Sequence, residues 1–501
     1  MTVVHIPNST ILSSYARRFM TEQQEKEAKG ARGFGSDDSS RTAKGTVASV
    51  EDSSSVKAGQ DITTPQLEDY CDDFAADIKN KLATLTLSHE TYSEALENRE
   101  VYLKHPPVFS HKLEIDAPIT NQKNSGRCWI FAGLNVLRQY MMKEYNLDEL
   151  ELSEPFVFFY DKLEKSNWFL ENILRTLDED LDGRLVQLLL AGPVQDGGQW
   201  DMFVALVEKY GVVPKEAYPE TVHTADSEQM DWLITTKLRE YAKEIRTEHA
   251  NGKSISELRK MKDRMLREIH KVISVSLGQP PKTIDWSFYS KDKKFHEFRN
   301  VTPLEFYKNH VKQDCTKFVS LINDPRNEYM KKYTVDYRGN VCGAGSVHFI
   351  NLSVQHLKDY AIRVLESGHP VWFGCDIDKF FSRSHGMMDT EVIDYKSAFD
   401  FGFGMTKAER LQYGDSTITH AMVLTGVHIK DGKPVRWKVE NSWGESVGNK
   451  GYLTMTDRWF DEFVYQIVLE KSELSKEVLD LLDQEAVVLP PWDLMLGVFG
   501  K

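Results

Sequence analysis

The chain has 501 residues, a formal net charge of −14 at pH 7 and 41% hydrophobic residues. That length supports two or three domains' worth of core or one large composite domain, and the acidic balance argues against wholesale nucleic-acid binding. Five cysteines with no Cys-x-x-Cys and no zinc spacing, and no apolar run of transmembrane length, exclude a disulfide scaffold, a zinc module and a membrane-spanning chain.

The first twenty residues hold no acid and include Arg17-Arg18 among several Ser and Thr. They fit a weak mitochondrial presequence better than a secretory signal, because no long apolar stretch is present. The alternatives are a disordered tail or a second start at Met20. Thr21 to about Asp61 is rich in Gly, Ser, Lys and Glu, cannot bury a core, and is expected to be disordered. Thr64-Pro65 then reads as an N-cap and first helical position. Leu67, Tyr70, Phe74, Ile78 and Leu82 follow at helical spacing.

Cys128 opens the segment Trp129–Met142, whose apolar residues Ile130, Leu134, Leu137, Tyr140 and Met141 recur with a helical period. Ser125-Gly126 reads as the turn into that helix. A thiol at a helix start feels the positive end of the dipole, which lowers its pKa and favours the thiolate. Gln122, six positions earlier, carries an amide that can donate to an oxygen becoming negative, with the backbone N–H of Cys128 as the second donor. A helix-rich region reaches to about Leu277, with Met230, Leu233, Ile234, Leu238, Tyr241 and Ile245 on one helical face. Lys237–Lys271 carries eleven Lys/Arg against six Asp/Glu. A solvated helix face is the favoured reading of that stretch.

After about Val335 the pattern turns to strands: Val371–Gly374, then residues 421–427, 435–440, 451–456 and Tyr465–Leu469. His420 stands at the entry to the second of these. Asp431-Gly432 marks a hairpin turn, so Asn441 falls at the end of the next strand, within hydrogen-bond reach of His420. An Asn441 carbonyl oxygen accepting from one imidazole nitrogen would leave the other facing Cys128. Trp443 would cover that bond. A thiol, an imidazole and an amide in this order point to nucleophilic acyl transfer without metal or cofactor.

Several stretches resemble the bleomycin hydrolase family, the intracellular branch of the papain-like cysteine peptidases. They are Pro118-Ile-Thr-Asn-Gln-Lys-Asn-Ser-Gly-Arg-Cys-Trp129, Phe158-Phe-Tyr-Asp-Lys-Leu-Glu-Lys165, Asp182-Gly-Arg-Leu-Val-Gln187, Asp196-Gly-Gly-Gln199, Leu321-Ile-Asn-Asp-Pro-Arg326 and Val439-Glu-Asn-Ser-Trp-Gly444. The resemblance runs from about Pro65 to the C-terminus. It implies an α+β fold of two lobes, a helical lobe and a β-barrel lobe, with the site in the cleft between them. His420 lies much further from Cys128 than the ~130–150 residues of compact relatives. The excess implies a helical insertion at about 214–303, outside the peptidase core. The domains expected are a tail (1–63), the helical lobe with the insertion (64–334), the barrel lobe (335–475) and a C-terminal arm reaching the cleft (476–501).

By the same resemblance Cys128 is the nucleophile, His420 the base, Asn441 its orienter and Gln122 the oxyanion donor. Gly197, Gly198, Trp443 and Lys501 become substrate-binding positions. The implied enzyme is a cytoplasmic aminopeptidase, also mitochondrial if the presequence reading holds. It is a homohexamer acting on peptides with a free N-terminus and able to open bleomycin and homocysteine thiolactone. The alternative is a nucleic-acid-binding ring on the same scaffold, with weak DNA or RNA binding. Two departures stand out. Ser125 replaces the first Cys of the Cys-Gly-Ser/Ala-Cys-Trp/Tyr signature, and Gln195-Asp196 stand where its disulfide partner would be. The chain ends Val498-Phe-Gly-Lys501, unlike the Ala-rich ends of the family, so the clamp expected from the terminal carboxylate rests on less than the triad.

Overall fold

The computed structural model describes residues 59–493. The targeting and disorder readings for residues 1–58, and the reading of Lys501, lie outside the described residues. The chain divides into two units between Phe74 and Ala75. A helix begins at Thr64 and runs to Ala76, two residues past that division. Its cap is Thr63, one residue earlier than the sequence suggested. Gln66 N donates to Thr63 Oγ1 at 3.4 Å, and Thr63 N donates to Gln66 Oε1 at 2.9 Å, a reciprocal capping box. The expected run from Leu67 to Leu82 is not one helix. Asp77 takes extended backbone, and its carboxylate accepts from Lys79 N at 2.8 Å, starting a separate helix at Ile78–Leu87.

The second unit is built on the helix Cys128–Glu144, which is buried almost all round. On one side it meets the helices Glu154–Arg175 and Trp200–Tyr210. On the other lies a twelve-stranded mixed sheet. Its order runs Val487–Leu489, Lys331–Val335, His348–Asn351, Phe318–Ile322, Val464–Glu470, Val371–Cys375, His420–Lys430, Lys433–Glu440, Tyr452–Thr456, Met387–Met388, Phe381–Ser382, with His111–Lys112 pairing beside His420–Lys430. Val371–Cys375 and the Ala421–Leu424 part of the next strand are apolar runs because both faces are covered. Ala421 and Val423 join the core around the Cys128–Glu144 helix, whereas Met422 and Leu424 join a second core containing Leu357 and Ala361 of the helix Val354–Glu366. Successive side chains point to opposite faces, so a doubly covered strand reads as a continuous apolar run.

The turn Asp431-Gly432 has φ of 52° and 74°. Positive φ at both central residues is the type I′ turn, whose twist matches a hairpin. It fixes the antiparallel register Val423↔Glu440, which puts His420 and Asn441 at one end of the sheet.

The segment expected as a helical insertion holds two long helices, Glu228–Ala250 and Ile255–Leu277, and also an antiparallel hairpin, Ile284–Tyr289 with Phe295–Val301. Ile284, Trp286 and Phe288 alternate with the exposed Asp285, Ser287 and Tyr289, a period of two that marks a half-buried strand. The helices do not stand apart from the main core. Ile234, Leu238, Ile245, Met265 and Ile269 share one cluster with Trp129 and Leu134, while Leu233, expected on the buried face, is exposed. The basic groups of 237–271 are largely engaged. Arg259 and Lys262 pair with Glu171 (2.8 and 2.5 Å), Arg264 with Glu244 (2.6 Å) and Lys253 with Glu248 (2.5 Å), and Arg246 donates to Thr176 O (2.7 Å). Strands Phe318–Ile322 and Lys331–Val335 precede residue 335 yet ladder into the large sheet, and Val487–Leu489 of the C-terminal arm adds its edge. No helix among the described residues is long and apolar enough to cross a membrane.

Candidate active site

Three distant segments are stitched together by backbone bonds. Gln122 N donates to Ser442 O at 2.8 Å and Gly444 N to Thr120 O at 3.0 Å, so residues 120–122 pair with 442–444. Side chains tighten the seam. Ser442 Oγ donates to Gln122 Oε1 at 2.7 Å, and Gln122 Nε2 donates to Ser125 O at 2.6 Å. An amide nitrogen carries two hydrogens, so one remains for an incoming oxygen. Helix Cys128–Glu144 packs against strand His420–Lys430, and the backbone N–H of Ala421 reaches the Cys128 sulfur.

His420 Nε2 lies 2.8 Å from Asn441 Oδ1. That oxygen also accepts from Ser442 N at 2.8 Å, which fixes the amide's orientation. An oxygen can only accept, so Nε2 carries the hydrogen and Nδ1 is left for a thiol. The Trp443 ring covers the imidazole, with centroids 4.8 Å apart and planes inclined by 34°.

The electrostatics differ from the local reading of Cys128. Burial pushes its thiol up to about 12, against the backbone N–H groups of Ala421, Trp129 and Cys128 itself, which pull downward. The helix-end amides act in the expected direction, but a 1% exposed sulfur loses more by desolvation than they return. Burial likewise lowers His420 to about 4, although its bond to Asn441 favours the charged ring. Taken singly, both groups lean to their neutral forms.

Gly197 and Gly198 lie close to Trp129, the residue after Cys128. A Cβ on Gly198 would fall 2.6 Å from Trp129 Cε2, so only glycine lets this backbone lie against the indole next to Cys128. Trp129 Nε1 donates to Asp196 O at 2.7 Å, and Lys165 Nζ to Gly197 O at 2.6 Å. Beside the glycines is a cavity of about 160 Å3, lined also by Trp168, Met202, Arg338 and Pro491. The C-terminal arm thus reaches this cavity through Pro491. Trp492 lies under the Arg184 guanidinium at 4.1 Å, and Asp493 pairs with Arg326 at 2.8 Å.

At the positions that depart from the disulfide-bearing signature, a polar link joins the same two loops. Gly126 N donates to Asp196 Oδ2 at 2.8 Å. Lys162 Nζ holds Asp196 at 2.5 Å and Asp231 at 2.7 Å, and Ser227 Oγ adds a third contact to Asp196 at 2.6 Å. Against burial, Lys162 and these hydrogen bonds keep the Asp196 carboxyl far below the usual range. Burial raises Asp231 to about 8, so the pair shares a single negative charge with ease. The five cysteines are free thiols.

Two groups at the site escaped the sequence reading. Arg138, 1% exposed, sits on the Cys128–Glu144 helix and donates to Glu440 Oε1 (2.7 Å) and Pro118 O (2.8 Å). Lys162 and Lys165 lie buried on the helix Glu154–Arg175. For Arg138 the available signal was charge in a largely apolar helical run, since buried ions are rare unless paired.

A thiol at a helix start, with an amide-held imidazole on the strand packed against that helix, is the arrangement of a papain-like cysteine peptidase. Residues 61–496 match the model of the Peptidase C1-like family, and the chain belongs to that family, in the branch of the bleomycin hydrolases and aminopeptidases C. It is 45% identical over 425 residues to chicken (Gallus gallus) bleomycin hydrolase, covering 82% of this chain and 93% of that protein. It is 41% identical over 437 residues to aminopeptidase C of Listeria monocytogenes, covering 87% and 98%. The crystal structure of PepW from Lactobacillus rhamnosis HN001 matches with a TM-score of 0.85 at 42% identity, covering 87% of this chain and 98% of that one.

Proposed function

We propose that the protein is a cysteine aminopeptidase in which Cys128 attacks the carbonyl of a peptide's first residue and forms a thioester. As the carbon–sulfur bond forms, the thiol proton passes to His420 Nδ1. His420 then gives it to the departing amine and later takes a proton from the water that opens the thioester. Asn441 holds the ring, and the Cys128 N–H with the Gln122 amide receives the oxyanion. Gly197 and Gly198 take the substrate backbone. The observation that carries this reading is the 2.8 Å bond from His420 to Asn441 beside a helix that starts at Cys128.

We further propose that residues 494–501 continue from Pro491 into the groove, so that the Lys501 carboxylate meets the substrate ammonium and restricts cleavage to free N-termini. The active form is a cytoplasmic homohexamer, with a mitochondrial fraction if residues 1–20 direct import. Bleomycin and homocysteine thiolactone are acyl compounds open to the same attack. The nucleic-acid alternative finds little support, because most of the basic residues of 237–271 are engaged in ion pairs and carbonyl contacts. The deciding experiment is hydrolysis of an aminoacyl fluorogenic amide. Turnover that disappears on thiol alkylation and in Cys128→Ala is expected, and activity surviving both would overturn the reading.

A further inference from the structure

The segment Phe381–Ser384 runs past Trp443. Phe381 packs on the indole with centroids 5.9 Å apart, and the Arg383 guanidinium carbon lies 4.8 Å from the indole centre. The same indole is 4.8 Å from the His420 ring, so the guanidinium is within two stacking distances of the imidazole. Arg383 is exposed. Among the described residues it makes no hydrogen bond or ion pair, and stacking on Trp443 is its contact. The nearby acid Glu97 is already engaged, accepting from Ser382 Oγ and pairing with His385 Nδ1 at 2.9 Å. Asp378 and Arg383 both act on His420 through space, with opposite sign.

A planar cation held over an aromatic ring, with its N–H groups unclaimed among the described residues, is the arrangement that receives a carboxylate. We infer that Arg383 is a carboxylate-binding subsite for the departing part of the substrate. The inference rests on the peptidase reading above. His420 protonates the leaving amine, so chain on its Trp443 side belongs to the leaving peptide. An extended residue advances about 3.5 Å, so the acid reached is carried by the first or second residue after the cut. It is either the C-terminal carboxylate of a short peptide or an acidic side chain. The enzyme therefore favours di- and tripeptides, and peptides acidic just after the cleaved bond, over neutral or amidated ones.

The test measures kcat/KM for two pairs, Ala-Ala-Ala against its C-terminal amide and Ala-Glu-amide against Ala-Gln-amide. Preference in the first pair identifies the terminal carboxylate as the ligand, and preference in the second the side chain. The carboxylate member of at least one pair should be favoured about 3- to 10-fold, as a half-exposed charged contact gives. The ratio should shrink with added salt and fall to near one in Arg383→Gln, whatever that variant's overall rate. Arg383→Lys should keep part of it. Ratios of one in the wild type, or ratios unchanged in Arg383→Gln, overturn the subsite. If the fluorogenic amide is still cleaved in that case, the peptidase reading stands. If neither the amide nor any peptide is cleaved, that reading falls and takes the subsite with it.

Discussion

Arg138→Met tests whether one buried ion pair holds the site together. Arg138 lies on the Cys128–Glu144 helix, Glu440 directly precedes Asn441, and Pro118, which accepts from the same guanidinium, lies four residues before Gln122. Methionine keeps much of the packed volume but leaves the Glu440 carboxylate buried without its partner. Burial already raises the pKa of Glu440 against the pull of Arg138, so the orphaned acid must either stay charged in a dry site or bind a proton at neutral pH. Removing one partner of such a pair costs about 3–5 kcal/mol. Replacing both with groups of similar shape is often nearly neutral. Arg138→Met should therefore lower unfolding stability by about 3–5 kcal/mol in urea titrations at pH 7, and Arg138→Met/Glu440→Leu should recover most of that loss. Below the melting range, the single variant should also lose kcat by about 10–100-fold, because a shift of about 1 Å in Asn441 or Gln122 has that effect. A single variant within about 1 kcal/mol of wild type, or a double variant no more stable than the single, would refute the argument, since both follow only if the pair is desolvated.

His420 is held neutral in the fold, at about 4 against 6.5 unfolded. Between those values the unfolded chain binds a proton that the native state does not, so stability rises with pH across that window and this part of it is lost on acidification. By linkage the penalty at pH 5 is about 2 kcal/mol. His420→Ala should lose about that much less than wild type between pH 7 and pH 5, and parallel losses would remove the assignment of a dry, neutral imidazole. Gly198→Ala puts a methyl group 2.6 Å from Trp129. It should destabilise by about 1–3 kcal/mol and lower kcat/KM, whereas Gly402→Ala, with nothing within 4 Å, should do neither. Removing residues 494–501 should raise cleavage of N-acetylated peptides, and no rise in a comparison of acetylated with free peptides counts against the arm as a clamp.

The sequence made the chemistry visible where it is local. Asp431-Gly432 announced its hairpin because a type I′ turn needs those residues, and the register that follows put Asn441 beside His420 at 2.8 Å. The central strands were legible as buried runs because both sheet faces are covered. The hairpin at Ile284–Val301 was lost among long helices, although its alternation was present. The cap at Thr63 and the break at Asp77 turned on which side-chain oxygen meets which N–H, and neighbouring Thr and Asp residues offer that choice ambiguously. The thiol went wrong for a different reason. The helix-end effect is local and readable, whereas desolvation depends on the strand, His420–Lys430, laid over it from almost three hundred residues away.

The same distinction explains the polar groups that no motif disclosed. Arg138 and Glu440 are 302 positions apart, and Lys162 reaches Asp196 and Asp231 from a third element. Nothing in a linear pattern ties such partners, yet each lands next to a segment that carries the site: Gly126 before Cys128, Asp196 before the paired glycines, and Glu440, the last residue of its strand, before Asn441. Where the signature of disulfide-bearing relatives has cysteine, this chain has Ser125 and the pair Gln195-Asp196, and the two loops are joined by the Gly126–Asp196 hydrogen bond anchored on Lys162. A covalent bridge acts mainly on the unfolded chain. A buried ion network acts on the native state alone, through geometry and desolvation. The active-site loops of this protein therefore owe their order to the fold around them, and should loosen when Lys162 is removed rather than when a reductant is added.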